Sequence, residues 1–287
     1  MARKFELITQ LYYRTLQEVA HPSHWQSFLA SVCHNYRLPF DEQVLLFAQR
    51  PDATAVLEID RWNRRFGRWV NRGATGIAVF DRDAPNRSRL KYYFDLADTH
   101  PGRFARPVPV WEVETQHQDA IVEALESSFG SLEDTSSFAS ALHCAARNAV
   151  EDNVADYLPQ LHYYREGSYL EELDDQNVET MYRRLLTNSV GLLMMARCGV
   201  YPGDYYAQED FQEIVSFNTA DTINALGTAT GDIAQMCLSE IARTVLDFQR
   251  HPQRQNRTVA ETSKEDYAVQ EQSIQPNTER SADHTQV

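Results

Sequence analysis

GRWVNRGATGIAVF, residues 67–80, is the stretch in which the pattern of the sequence changes from helix to strand. Before it, apolar residues recur every three or four positions, which is typical of one face of a helix. Within it, two short segments rich in β-branched and aromatic residues flank NRGATG, whose glycines and asparagine favour a turn. The strand-forming sequence LKYYFDL follows at residues 90–96. We therefore predict a hairpin and a further strand in a small antiparallel sheet.

Three amphipathic helices are predicted before this sheet. The first covers residues 3–19, and the second follows a His-Pro break with Ser23 as its N-cap. The third covers residues 41–50, because two acidic residues open it and Pro51 stops it. Helices packed on a small antiparallel sheet give an α+β fold.

The chain is predicted to have three regions. Residues 1–113 form the α+β domain, and residues 114–250 form an acidic, all-helical domain. Residues 251–287 are predicted to be a disordered tail or linker, because they are polar and poor in aromatic residues. The last long helix is predicted at residues 231–250, after a shorter helix that ends at Gly227.

Charge is distributed unevenly along the 287 residues, whose formal net charge is −14. Residues 1–112 carry 16 Lys and Arg against 12 Asp and Glu, whereas residues 113–287 carry 11 against 29. Residues 61–91 alone carry nine cations and two acids. This asymmetry indicates two functional regions, one basic and one acidic.

Common catalytic and metal-binding motifs are absent from the sequence. It contains no glycine-rich phosphate loop, no HExxH, no GxSxG and no CxxC pair. We therefore predict a protein that is not an enzyme and holds no cofactor or metal; the alternative is an enzyme whose catalytic residues are scattered along the sequence.

A cytoplasmic location is predicted from three features. No apolar run is long enough to cross a bilayer, which argues against a membrane partner. The N-terminal segment has the pattern of an amphipathic helix rather than of a signal peptide. The four cysteines are far apart and are predicted to be buried free thiols in a reducing compartment: Cys33, Cys144, Cys198 and Cys237.

Arginines and aromatic residues are interspersed between residues 62 and 92, which is typical of a surface that binds single-stranded nucleic acid. Cations contact the phosphates there, and aromatic faces stack on the bases. Arginine predominates over lysine, which suits bidentate phosphate contact. The alternative is that Trp62, Phe66 and Phe80 fill the core of a small domain. The candidate nucleic-acid-binding residues are Trp62, Arg64, Arg65, Arg68, Trp69, Arg72, Arg82, Arg87, Arg89, Lys91 and Tyr92.

Further residues carry a resemblance to a known family: Trp25, Asn35-Tyr36, QRPDAT at 49–54, Trp62, Gly67-Arg68, Val70, Gly73, Gly76-Ile77 and YFDLADT at 93–99. In this order, the segment 23–113 resembles the N-terminal single-stranded-DNA-binding domain of ArdC-type antirestriction proteins. The resemblance implies single-stranded DNA as the partner. ArdC proteins continue into a metallopeptidase-like domain with HExxH, which this chain lacks, so neither zinc nor protease activity is implied.

The order of the two regions also resembles the N-terminal part of very large proteins of mobile genetic elements, such as conjugative elements. In those proteins, helicase and methyltransferase-like domains follow a module of this kind. The resemblance implies a non-catalytic accessory module that binds single-stranded DNA and a helicase or relaxase of the mobile element.

A second reading is a protein-binding inhibitor of a host defence nuclease, of the antirestriction or anti-CRISPR type. The acidic helical half would then imitate the phosphates of DNA. The carboxylates that we assign to this alternative are Glu171, Glu172, Asp174 and Asp175. The two readings predict opposite results with oligonucleotides, since the inhibitor would not bind them.

Overall fold

The computed structural model describes residues 2–82 and 89–250. The predicted tail at residues 251–287 lies outside the described residues. The α-helices are α1 Ala2–Val19, α2 Pro22–Val32, α3 Phe40–Gln49, α4 Ile59–Arg61, α5 Gln118–Phe129, α6 Phe138–Tyr164, α7 Asp175–Arg197 and α8 Ala220–Arg250. The strands are β1 Val56–Glu58, β2 Arg68–Val70, β3 Ile77–Phe80, β4 Leu90–Asp95 and β5 Thr99–Pro101. Short 3-10 helices lie at Cys33–Asn35, Leu96–Asp98, Thr115–His117, Pro202–Asp204 and Gln208–Ser216, and a π-helical turn lies at Trp62–Phe66.

The fold is α+β, as predicted: N-terminal helices pack on small antiparallel sheets, and an all-helical region follows. Helices α1, α2 and α3 agree with the predicted segments to within a few residues. The predicted N-cap Ser23 is wrong, because α2 already begins at Pro22 and His21 is the residue that precedes it. The α1 helix buries a single stripe whose members are spaced by three or four positions: Ile8, Tyr12, Leu16 and Val19.

The strands form two separate antiparallel sheets, one in the order β1-β4-β3 and the other containing β2 and β5. The predicted hairpin between β2 and β3 is therefore wrong, because each strand pairs elsewhere. Burial supplies the reason. Ile77, Ala78 and Val79 are all buried, so β3 must lie inside, whereas β2 lies at the surface with Trp69 exposed.

Helix α8 is continuous, whereas the sequence predicts a break between Gly227 and residue 231. Gly227 does not cap a helix; it lies buried within α8, where a Cβ atom would be 2.1 Å from Cε2 of Phe40. The glycine is needed because the Phe40 ring of α3 packs directly against the backbone of α8.

One hydrophobic core extends through both of the predicted domains. In α2, Trp25 donates from Nε1 to Ser189 Oγ of α7 at 2.9 Å. In α1, the Tyr12 hydroxyl donates to the side chain of Asn224 in α8. The predicted boundary at 113/114 therefore does not separate two independent cores.

Three further findings concern location and thiol chemistry. Across the described ranges, none of the helices combines the length and apolar character needed to span a bilayer. All four cysteines are buried free thiols, as predicted. Burial raises the pKa of Cys33 to about 11 and that of Cys198 to about 12, so both thiols are protonated at neutral pH.

Candidate nucleic-acid interface

Two chain segments, residues 62–72 and 98–106, form a surface structure that we call the basic ribbon. At its centre, β2 pairs with β5. The π-helical turn Trp62–Phe66 leads into it and ends at Gly67, whose φ of +62° glycine adopts at little cost. Backbone hydrogen bonds join the two segments: Gly102 N to Gly67 O, Arg106 N to Phe66 O, and Asn71 N to Asp98 O.

Trp62 anchors the basic ribbon to the rest of the protein. It is fully buried, and its Nε1 donates to the carbonyl oxygen of Phe94 in β4 at 2.8 Å. Its ring centroid lies 5.6 Å from that of Phe66, which is also buried. Because no face of the indole is open, Trp62 cannot stack on a base. The alternative of a core role is correct for Trp62 and Phe66.

Trp69 is the exposed aromatic residue of β2, with 53% of its surface accessible. Opposite it in β5 is His100, which is also exposed and has Nδ1 2.7 Å from Asn71 Oδ1. The indole lies against the backbone of Gly102, since a Cβ at that position would be 2.9 Å from its Nε1. The bare backbone of Gly102 therefore supports the ring, while the remainder of the ring is open to solvent.

Arg68 lies on the other face of the basic ribbon from Trp69, because side chains alternate along a strand. Its Nε donates to Thr99 Oγ1 at 2.7 Å, and one of its terminal nitrogens donates to the Thr99 carbonyl oxygen at 3.0 Å. The guanidinium is half-buried, so it adds positive potential but is held by β5.

Arg64, Arg65 and Arg72 are exposed members of the basic ribbon. Within residues 2–82 and 89–250, none of them forms an ion pair with a carboxylate. The one acidic residue of the basic ribbon, Asp98, pairs with Arg50 outside it. These three guanidinium groups are therefore open to an external anion.

The remaining candidate cations of the described chain do not join this surface. They lie at or beside the three-stranded sheet, and each forms an ion pair with a carboxylate, although the side chains of Arg82 and Arg89 remain 64% and 69% exposed. The pairs are Arg82 with Asp41 at 2.9 Å, Arg89 with Asp81 at 3.6 Å and Lys91 with Glu42 at 2.7 Å.

Lys91 illustrates why such a pair is structural. Burial lowers the pKa of its ammonium, but hydrogen bonds to Glu42 and Tyr93 outweigh that effect, so the pKa is raised overall. Burial and the same Glu42 raise the pKa of Tyr93 to about 12. The ammonium stays charged, yet the buried Glu42 carboxylate already satisfies it.

Two further candidates remain. Tyr92 is half-buried, and the Lys4 ammonium lies 4.6 Å from the centroid of its ring. Arg87 lies outside the described residues. The described members of the predicted set thus do not form a single surface.

Sequence reasoning missed three residues of the second segment: Arg103, Phe104 and Arg106. All three are exposed, and Phe104 is 81% accessible. Neither arginine forms an ion pair with any carboxylate in the part of the chain that the structure describes. The signal was present in the sequence GRFAR, which places an aromatic residue between two arginines at 102–106.

Comparison of this chain with models of known protein families, with curated proteins and with solved structures gave no significant match. The resemblance to ArdC-type domains therefore rests on the order of the residues quoted above.

The acidic residues of the inhibitor hypothesis are exposed on and before α7. Most of them have local partners: Glu171 accepts from a backbone amide at 2.7 Å, Asp174 caps α7, and Asp175 pairs with Arg165 at 2.7 Å. Hydrogen bonds from the first turn of α7 hold the pKa of Asp174 below its usual value. Of these four carboxylates, only Glu172 has neither a hydrogen-bond nor an ion-pair partner among the described residues.

Proposed function

We propose that the basic ribbon binds single-stranded DNA and that the protein is a non-catalytic accessory module. The observation that supports this proposal is an exposed indole, Trp69, on a surface whose exposed arginines have no carboxylate partners among the described residues. In a chain with a net charge of −14, most cations would be expected to be neutralised internally. Within residues 2–82 and 89–250, the exposed arginines of the basic ribbon are not paired in this way.

The physical argument concerns both parts of a nucleotide. Guanidinium groups bind phosphate oxygens in a bidentate manner, and binding releases condensed counterions. An exposed aromatic ring can stack on the face of a base, and that face is accessible only where the base is unpaired and unstacked. A single strand satisfies both requirements, whereas a duplex hides the faces of its bases.

The biological setting is a proposal of its own. The resemblance to ArdC-type domains supports an accessory role in a mobile genetic element, in a conjugation or antirestriction context. A helicase or relaxase of that element would then be the protein partner. A cytoplasmic location is supported by the four reduced, buried cysteines, since disulfides are rare in reducing compartments.

The test is fluorescence anisotropy of the full chain with a labelled oligo-dT of about 12 nucleotides. Affinity should fall as salt rises from about 50 to 200 mM. A triple variant, Arg64→Gln, Arg65→Gln and Arg72→Gln, removes three phosphate contacts. Because each contact contributes about 0.7 to the slope of log K against log salt for a single strand, the slope should become shallower by about 2.

A matched control removes the same total charge from exposed arginines on helices. The control variant carries Arg14→Gln, Arg243→Gln and Arg250→Gln, whose side chains are 67–71% exposed. It should bind with the wild-type slope. Failure of the wild-type protein to bind oligo-dT, or equal slopes for the two triple variants, would overturn the proposal. The first of these outcomes is also what the nuclease-inhibitor hypothesis predicts.

A further inference from the structure

Phe104 is the most exposed large hydrophobic residue described in this chain, at 81%. It nevertheless lies in a loop with a fixed backbone. Ala105 N donates to Gly102 O at 3.1 Å, and Arg106 N donates to Phe66 O at 2.9 Å, so both sides of Phe104 are held. A single exposed aromatic ring is common on protein surfaces. Phe104 differs in that it lies on a hydrogen-bonded loop between two exposed arginines, Arg103 and Arg106.

Gly102 places the backbone of Phe104 close to Trp69. The indole Nε1 would be 2.9 Å from a Cβ on Gly102. Phe104 is two residues further along, and two residues of extended chain span at most about 7 Å. The carbonyl oxygen of Phe104 lies close to Gly67, since a Cβ there would be 3.0 Å from it. Trp69 and Phe104 are therefore exposed on adjoining parts of the basic ribbon.

We propose that Trp69 and Phe104 form a two-base stacking site, in which adjacent unpaired bases of one strand lie on the two rings. Arg103 and Arg106 flank Phe104 and contact the phosphates on either side of its base. This inference rests on the proposed function and narrows it. The ligand is a strand with at least two adjacent unpaired bases, and neither a duplex nor a single nucleotide suffices.

Gly102 has a positioning role in this site. A methyl group at residue 102 would lie 2.9 Å from the Gly67 carbonyl oxygen and 2.9 Å from Nε1 of Trp69, so it would displace both the indole and the loop that carries Phe104. Gly102→Ala should therefore weaken the stacking of bases on both rings.

The experiment compares Trp69→Ala, Phe104→Ala and the double variant in the full chain, with oligo-dT of about 12 nucleotides as the probe. One stacked base is worth about 5- to 150-fold in affinity, so each single variant should lose that much and the double variant about the product. The salt slope should remain that of the wild type, because no phosphate contact is removed. Phe104→Tyr should retain wild-type affinity, since it keeps the aromatic face.

Tyr163→Ala is the matched control, because Tyr163 is 78% exposed at the end of α6, outside the basic ribbon. It should bind as the wild type does. Thymidine monophosphate should not compete measurably, whereas the dinucleotide should.

Intrinsic fluorescence gives a second readout. Of the four tryptophans, Trp25, Trp62 and Trp111 are buried, so quenching by an oligonucleotide reports on Trp69. Quenching should persist in Phe104→Ala and be reduced in Gly102→Ala.

Two failures are distinguishable. If the wild-type protein binds no single strand, the proposed function itself fails. If it binds, and Phe104→Ala retains wild-type affinity while Trp69→Ala is weakened, the two-base site is wrong and the proposed function stands.

Discussion

Replacing Gly227 by alanine tests how closely α3 and α8 pack. The added Cβ would lie 2.1 Å from Cε2 and 2.3 Å from Cδ2 of Phe40. Carbon atoms in ordinary contact are about 3.5 Å apart or more, so the Phe40 ring must move by more than about 1 Å. The ring is not free to do so, since its centroid lies 5.6 Å from that of Phe28 and 6.3 Å from that of Trp25.

The expected magnitude combines two opposing effects. Overpacking of a well-filled core costs about 1–3 kcal/mol. Alanine within a helix is favoured over glycine by about 1 kcal/mol, which offsets part of this cost. We therefore expect Gly227→Ala to lower the free energy of unfolding by up to about 2 kcal/mol.

Gly231 in the same helix provides the control. A Cβ there would meet only the end of the Gln43 side chain, at 3.9 Å. Gly231→Ala should therefore gain up to about 1 kcal/mol from helix propensity. Urea denaturation followed by circular dichroism measures both variants. If Gly227→Ala proves as stabilising as Gly231→Ala, then the Phe40 ring does not pack against the backbone of α8 as described.

Three further predictions concern single side chains. Asp95 is buried and accepts hydrogen bonds from three backbone amides, so Asp95→Ala should cost about 3 kcal/mol or more in urea denaturation, and Asp95→Asn less. Burial and Arg147 lower the pKa of His143 below its usual value of 6.5, so the unfolded chain takes up a proton at a higher pH than the folded protein does. The free energy of unfolding should therefore fall as the pH drops below about 6.5, and it should fall less in the His143→Gln variant. Urea denaturation at several pH values measures both. A Cβ at Gly191 would overlap the Tyr206 hydroxyl, so Gly191→Ala should lower the melting temperature. Adding Tyr206→Phe to this variant removes the hydroxyl and should recover part of the lost melting temperature.

The sequence was informative at most positions where a local rule decides the structure, although the N-cap rule misplaced the start of α2 at Ser23. The spacing of apolar residues located α1, α2 and α3, and a glycine after the basic segment correctly predicted the end of the helical turn at Gly67. Asp41 and Glu42 in the first turn likewise marked α3. These signals act over a few residues, so one sequence is sufficient to read them.

The errors arose where a distant segment decides the structure. Strand propensity cannot show that β2 pairs with β5, about 30 residues away, rather than with β3. A glycine in a helical pattern has two explanations, and only the packing of Phe40 shows that Gly227 accommodates a ring rather than ends a helix. The burial of Trp62 could not be predicted for the same reason, since composition does not distinguish an indole that stacks on a base from an indole in the core.

The shared core has a consequence for how this protein can diversify. Trp25 and Phe40 are covered by helices α7 and α8, so a gene fusion that carried only residues 1–113 into another protein would leave these rings without cover. The exposed residues of the basic ribbon are less constrained, because the buried residue that anchors the ribbon, Trp62, is separate from them. Substitutions at Phe104, which is 81% exposed, should cost little in folding, so homologues should keep the scaffold as one inherited unit while this surface varies.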